Sequence, residues 1–570
     1  VAEPLRRARA QRDWLAAATA GAGAAAWAAA FLSVAAGALG PWTGVSAVVA
    51  GLAVAVAVAT RGSAGADPRS RMSWPEALAL AAFGVVSVRQ FGWLAFRRGG
   101  ALLTLLPYNY GDLPLHWTYV AHLAGGARFW PENPIFTGER LRYPLGVDLL
   151  TAVPVQLGVS MPIALVALGL AGAALTVLAL RRWGGAFAVA GFLFAGGLAG
   201  FELLWTGTLH DYQSAVAWKS PYLALFVPQR GFLLALPMGL LLLWSWRRRL
   251  LRDEGRSLAP FVEGVLWGTL PLVHLHSFLF VSAMFAAWTV GSRRWRAAAP
   301  PLAVALLPAA WSVWQVTDGF RAASLVGWKP GWMIGGEGAV VFLLLNFGLF
   351  LPLALAALVV AVRRRRREEG LVLGSALAAF AALFVVRLAP WEWDNTKVMV
   401  WCYVATLPPI EALVLSPMRR SWRGVTLFGL LFSGAVSVAA ASVGEVGRLE
   451  VLDLGEYRAV CAALRPLGRD ERVATVQTHN HPVALCGQPI VAGYAGHLWS
   501  HGLAAGGVER GLARLLRGEG DFRSEARALG ARYLFWGHRE QSAFPRSAKP
   551  WVAAGPPVAS GEWGALYRME

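Results

Sequence analysis

Asp112 stands in the run Tyr108-Asn109-Tyr110-Gly111-Asp112-Leu113-Pro114-Leu115-His116, a carboxylate among aromatic and apolar residues with an imidazole four positions on. Such surroundings raise a carboxyl pKa toward the working pH, which suits a general base. The same residues also suit an N-cap, with Asp112 ahead of a helix opening at Leu113 or Pro114, and the two roles are compatible. Glu132, Glu139, Arg142, Tyr143 and Asp148 follow in the same segment. Arg230 opens an apolar run after Pro228-Gln229, where a lone cation opposes the helix macrodipole and calls for an anion. A phosphate held in bidentate geometry answers that call, and so does a lipid headgroup reached by snorkelling. His274 and His276 interrupt another apolar stretch, and ionisable groups in such places mark cavities. Two positions apart, they share no helix face, so a zinc pair is not indicated and at least one is read as a hydrogen-bonded structural imidazole. Arg321, Lys329 and Glu337 lie in an aromatic segment with Trp328 and Trp332 that suits a membrane interface. Glu392, Asp394 and Lys397, set around Trp391 and Trp393, suit sugar hydroxyls, a phosphate, or one another.

The elements that position these residues are membrane helices. Of 570 residues 56% are hydrophobic and only 15% charged, which excludes an ordinary soluble enzyme and a disordered chain. The 52 Lys and Arg against 33 Asp and Glu give a formal charge of +19, yet the arginines fall in short clusters between apolar runs and not on one soluble face. That pattern excludes a nucleic-acid footprint and fits a polytopic membrane protein. Runs of about 20 apolar residues predict about 13 spans: near 14–39, 42–60, 74–96, 146–180, 184–205, 231–246, a hairpin over 259–290 turning at His274-Leu275-His276, then 300–317, 339–362, 371–388, 398–415 and 425–443. Basic clusters at Arg6, Arg7, Arg9 and Arg12, at Arg69 and Arg71, at Arg181 and Arg182, at 247–249, at Arg293 and Arg294, at 363–367 and at Arg419 and Arg420 then share the cytoplasmic side. The N-terminus is expected inside, the first apolar run is a retained span, and the C-terminus lies outside. From about Gly444 the composition turns ordinary, with strand-like runs at 472–476, 489–491 and 532–536 and helical patterns at 456–465, 508–517 and 522–529. The expected organisation is an N-terminal hairpin (1–73), a membrane domain (74–443) with a long first outer loop (99–147), and a small extracytoplasmic α/β domain (444–570). Cys461 and Cys486 both fall in that last unit, where a disulfide and two buried thiols are both open.

The ordered set of motifs resembles the GT-C-type glycosyltransferases, the membrane superfamily that includes protein mannosyltransferases, aminoarabinose transferases and oligosaccharyltransferase subunits. The set is Gly-Asp-x-Pro-Leu-His, Pro-Glu-Asn-Pro-Ile-Phe-x-Gly-x-x-Leu-Arg-Tyr-Pro, Pro-Gln-Arg, Leu-Pro-Leu-Val-His-Leu-His and Trp-Asp-Asn-Thr-Lys. The stretches His479-Asn480-His481-Pro482-Val483 and Gly493-Tyr494-Ala495-Gly496-His497-Leu498-Trp499 are similar to the extracytoplasmic tails of such proteins. The resemblance implies inverting transfer of a sugar from a polyprenyl-phosphate carrier to an acceptor (lipid, glycan or protein) on the outer face of the membrane, and the Arg- and Ala-rich composition is consistent with a bacterial cytoplasmic membrane. Asp112 would be the base and Arg230, with Lys397, would stabilise the departing phosphate. His116, His276 and Asp394 would orient sugar or base, with His274, Glu132, Arg142 and Tyr143 in the substrate site. The family's Asp/Glu pair is adjacent, whereas Leu113 follows Asp112, so Glu132, Glu139 and Asp148 are rivals for the base. No Asp-x-Asp occurs in the loop, and no metal or other cofactor is assigned. A transporter, flippase, polymerase or ligase handling lipid-linked sugars would use similar outer residues.

Overall fold

A computed structural model describes residues 13–61, 72–254, 257–321, 325–443 and 449–569. The arginine clusters at 6–12 and 69–71 and the boundary near Gly444 lie outside the described residues. Helices α1 (Trp14–Ala36) and α2 (Pro41–Arg61) form a hairpin, with Asp13 capping α1 by accepting from the Ala16 N–H at 3.0 Å. Two glycines let the backbones meet: a Cβ at Gly51 would lie 2.6 Å from the Gly21 carbonyl oxygen. The chain continues through α3 (Trp74–Gly92), strands β1 (Phe96–Arg98) and β2 (Ala101–Thr104), α4 (Asn109–Ala124), α5 (Gly146–Gln156) and α6 (Met161–Leu193). Next come α7 (Leu203–Thr206), α8 (Phe232–Trp246), α9 (Pro260–Val273), α10 (Leu275–Ser292) and α11 (Trp295–Val316). Strand β3 (Gly327–Trp328), α12 (Ala339–Phe347), α13 (Phe350–Arg363), α14 (Arg367–Ala382), strand β4 (Val386–Arg387), α15 (Thr396–Ile410) and α16 (Arg420–Val443) complete the helical part.

Among the described residues seven helices are long and apolar enough to cross a membrane, or eight if the bent pair α12 and α13 is one span. The expected count of about 13 is therefore not reached, because several apolar runs become short helices wrapped in protein. Every residue of the 15-residue α8 is buried, and α9 has 14 residues. The runs expected at 146–180 and 184–205 are redistributed into α5 and α6, with a break inside α6 at Gly184 and Gly185. The hairpin expected to turn at His274 does break there, between α9 and α10. The single span expected over 339–362 is two helices bent by 93°. At this bend Asn346 Oδ1 accepts the backbone N–H groups of Ala217 and Trp218, each at 2.8 Å, and the Leu198 N–H donates to the Leu345 carbonyl at 3.1 Å. A Cβ on Gly197 would fall 1.9 Å from that carbonyl oxygen, so only glycine fits the crossing.

The expected long outer loop is instead built structure: β2, a nearly buried α4, and a segment that pairs with the C-terminal part of the chain. Strand β5 (Leu449–Asp453) adds antiparallel to β2, giving the order β1-β2-β5. Helix α17 (Leu454–Leu464), strand β6 (Arg472–Ala474), α18 (Pro482–Leu485), α19 (Ala495–Ser500), α20 (Gly506–Arg517), α21 (Phe522–Ala528) and strand β7 (Ala531–Gly537) follow. With β8 (Ala559–Gly561) and β9 (Gly564–Arg568) they make a sheet of order β6-β7-β9-β8, parallel only at β6 and β7. Cys461 and Cys486 are joined in a disulfide, Cα atoms 5.3 Å apart, tying α17 to the turn after α18. That turn is pressed on α4: the Gly487 carbonyl is 2.9 Å from His122 Nδ1. Residues 134–137 and 490–493 exchange backbone hydrogen bonds, including Ile490 N–H to Pro134 O and Gly493 N–H to Ile135 O, both 2.8 Å.

Candidate active site

Helix α4 carries Asp112 and His116 one turn apart on one face. The helix begins at Asn109, three residues before Asp112, so Asp112 is not the N-cap expected from Gly-Asp-x-Pro; it lies in the first turn, where the helix dipole favours a carboxylate. His116 is anchored from behind: its Nδ1 is 2.8 Å from Asp148 Oδ1 on α5, with both side chains buried. A carboxylate on Nδ1 holds the proton there and turns Nε2 the other way. Among the described residues no group hydrogen-bonds to Asp112. The other three carboxylates of the outer segment are engaged: Glu132 with Arg472 at 2.9 Å, Glu139 with Arg142, and Asp148 with His116. Burial raises the Asp112 carboxyl above the ordinary carboxylate range; Asp394 adds to the rise, while His116 and Lys397 oppose it.

Beside Asp112 lies a cavity of about 360 Å³ walled by residues from six distant parts of the chain. Arg142 and Tyr143 come from the segment before α5, and Gln229 and Gly231 from the head of α8. His274 and His276 come from the α9 and α10 break, and Asp394 and Lys397 from the head of α15. Lys397 and Asp394 form an ion pair at 3.1 Å, and both act electrostatically on Asp112 and on His276. The His116 ring is 5.9 Å from that of Tyr143, so the α4 pair adjoins the cavity wall across Tyr143. Val313, Val316 and Leu279 supply an apolar flank.

Two of the expected site residues are placed elsewhere. Arg230 is 1% exposed and absent from the cavity wall; its Nη2 donates to the Leu165 carbonyl at 3.3 Å, while Nε and Nη1 have no partner among the described residues. Its neighbours Gln229 and Gly231 take the wall positions because the start of α8 turns the guanidinium into the bundle. Glu132 is drawn out of the site by Arg472, which also donates to the Asn133 and Ile490 carbonyls at 3.0 and 2.9 Å and so pins the outer segment to β6. His274 has the structural role expected of one of the pair. It is the N-cap of α10, its Nδ1 accepting the Ser277 N–H at 3.2 Å, which leaves the proton on Nε2. His276 has no hydrogen-bond partner among the described residues.

The C-terminal part supplies residues that sequence reasoning placed in no site. Ser500 and His501 line the cavity, and the His501 ring is 5.5 Å from Tyr143. His497 stacks near His501 with centroids 6.4 Å apart. The quoted Gly-His-Leu-Trp run was the available signal, but nothing local told that it folds back over Asp112. Among the described residues no group of three or more His, Cys, Asp and Glu side chains is disposed to hold a metal ion.

No protein-family model matches the sequence, and no curated protein matches it. Among solved structures, the apo form of an Archaeoglobus fulgidus oligosaccharyltransferase is similar at 12% identity and a TM-score of 0.42, over 82% of this chain and 70% of that one. The same oligosaccharyltransferase tethered by a disulfide to an acceptor peptide containing the NVT sequon gives 13% identity and a TM-score of 0.39, over 83% and 71%. At these values neither chain stands in for the other.

Proposed function

We propose that the protein is a membrane glycosyltransferase that moves a sugar from a polyprenyl-phosphate carrier to an acceptor hydroxyl, with inversion at the anomeric carbon, on the outer face of a bacterial cytoplasmic membrane. The observation that carries this reading is the free Asp112 carboxylate, the one unpaired acid among the four of the outer segment, beside a cavity walled by Lys397 and Arg142. In this scheme the acceptor oxygen bonds to the anomeric carbon as its proton passes to Asp112, and the bond from that carbon to the phosphate oxygen breaks with its electrons leaving on polyprenyl phosphate. Lys397 and Arg142, the cations on the wall, stabilise the charge developing on the phosphate, the part first expected of Arg230. His116, held by Asp148, together with His276 and Asp394, orients the sugar. The scheme puts the hairpin 1–73 first with the N-terminus inside, the catalytic region at 74–443, and 444–570 outside as a soluble domain.

The test uses purified protein in nanodiscs, a panel of radiolabelled polyprenyl-phosphate sugars, and a cell-envelope extract as acceptor. Release of polyprenyl phosphate by the wild type, lost in Asp112→Asn while carrier binding persists, is the expected result. Tight carrier binding with no turnover in either protein, against a panel on which a known transferase works, refutes the enzyme and favours a carrier transporter.

A further inference from the structure

Rings from the C-terminal part form a continuous file over the site. Tyr110, two residues before Asp112, lies 4.4 Å from His479; His479 is 6.0 Å from Tyr494; Tyr494 is 5.2 Å from His497, which leads on to His501 and the cavity. A Cβ built on Gly111 would stand 3.8 Å from His497 Nε2, so this imidazole approaches the backbone that carries Asp112. Alongside, Trp499 and Trp391 face each other at 6.4 Å and are 53% and 39% exposed, while Tyr494 is 45% exposed.

The imidazoles of His497 and His501 have no hydrogen-bond partner among the described residues, and His479 Nε2 is buried without one. Burial pushes His501 down to about 3 and His497 to about 4, so both are neutral at physiological pH and each offers one donor and one acceptor. Uncharged donors and acceptors interleaved with exposed aromatic faces suit a ligand with hydroxyl edges and apolar C–H faces. A phosphate or an acidic headgroup would instead need cations, and none of Tyr494, His497, Trp499 and His501 supplies one; Arg142 and Lys397, which line the cavity with His501, suit the phosphate of the carrier.

We infer that Tyr494, His497, Trp499 and His501 form an acceptor subsite for a saccharide, so that the hydroxyl receiving the sugar belongs to a glycan chain. The inference rests on the glycosyltransferase reading for its role, but the subsite itself is a binding property that is measured without turnover. The file leads an incoming sugar unit from the Trp391 and Trp499 rim toward His497 and Asp112, where one hydroxyl meets the base.

Saturation-transfer NMR on the full chain in nanodiscs tests it, with methyl glycosides and trisaccharides of mannose, glucose, galactose and arabinose as probes. A Ser/Thr peptide and phosphatidylglycerol vesicles serve as counter-probes. The expected result is saturation of the ring protons of at least one saccharide, cut more than fivefold by Tyr494→Ala and His497→Ala, kept by Tyr494→Phe, with undecaprenyl phosphate binding unchanged. Silence of every saccharide, saccharide binding indifferent to these variants, or loss of peptide or vesicle binding in their place overturns the subsite. Saccharide binding without sugar transfer keeps the subsite and sinks the enzyme; transfer to the peptide with every saccharide silent does the reverse. Tyr494→Phe keeps the ring, so folding of the wall is controlled.

Discussion

Replacing Cys461 and Cys486 together by serine reopens a loop of 25 residues between α17 and the turn after α18. Closing a loop of that length lowers the entropy of the unfolded chain by about 12 cal/mol/K, which stabilises the folded C-terminal part by about 3.5 kcal/mol at 25 °C. The turn lies under a contact that admits no slack: a Cβ on Gly487 would sit 2.6 Å from the Ala121 backbone of α4. Hydrogen exchange on the full chain in nanodiscs reads the effect directly. Amides of β7, central in the sheet, exchange through opening of the C-terminal part, and about 3.5 kcal/mol corresponds to roughly 300-fold faster exchange in the double serine variant. Amides in α8, buried throughout the helical bundle, keep their protection. A change below threefold in β7 would refute the reasoning, and would mean that docking on the outer segment, not the crosslink, holds this part folded.

On the proposed mechanism Asp112→Asn is expected to lower transfer by about 10²–10⁴, the range of a general base. Because burial raises the folded carboxyl pKa, wild-type activity climbs with pH as Asp112 ionises, and the same sign makes the wild type lose stability as pH rises through that raised value. Asp112→Asn is therefore the more stable protein at neutral pH, with the difference vanishing in acid, as thermal unfolding across pH will show. Arg472→Ala strands the Asn133 and Ile490 carbonyls and loosens the outer segment by about 2–4 kcal/mol, whereas Glu132→Gln, at the exposed end of the pair, costs under about 1 kcal/mol; exchange at 134–137 compares them. Glu540 is buried, which alone would raise its carboxyl, but His481 and the N–H groups of Val476 and Gly537 outweigh burial and hold it below the ordinary 4.5. Its stabilisation is complete above about pH 4.5 and is lost as pH falls through the lower folded value, so the wild type is destabilised by acid across that window, whereas Glu540→Gln is the less stable protein at neutral pH and its stability is flat there, as β7 amide exchange against pH will show.

The candidate site was legible in the sequence where chemistry is local. Asp112 with His116 one turn on, the His274 break, and Asp394 with Lys397 each announced themselves by a polar residue in apolar surroundings; His274, Asp394 and Lys397 line one cavity, and Asp112 lies within electrostatic reach of the last two. What was not legible depends on contacts across hundreds of positions. Whether Arg230 faces a cavity or a neighbouring helix is set by how α8 is rotated against α6, and no pattern in its own run fixes that rotation. Glu132 looks like a site residue until Arg472, 340 positions on, is seen to hold it. The expected count of about 13 spans is unmatched for a different reason: hydropathy registers that a run avoids water, and a helix packed on all sides by protein, as α8 is, avoids it as well as a span in lipid does. The 93° bend had a visible signal in Asn346 and Gly348, a polar amide and a glycine inside an apolar run, which apolarity averaged away.

That bend has a consequence for how the protein is made. Helix α12, nine residues and about 13 Å long, cannot cross a bilayer alone, and the amides of Ala217 and Trp218 find their acceptor only in Asn346, about 130 residues later in synthesis. Until residue 346 is made, those two amides lack the acceptor they have in the folded chain, so the segment between α7 and α8 reaches its final form only after the bend does.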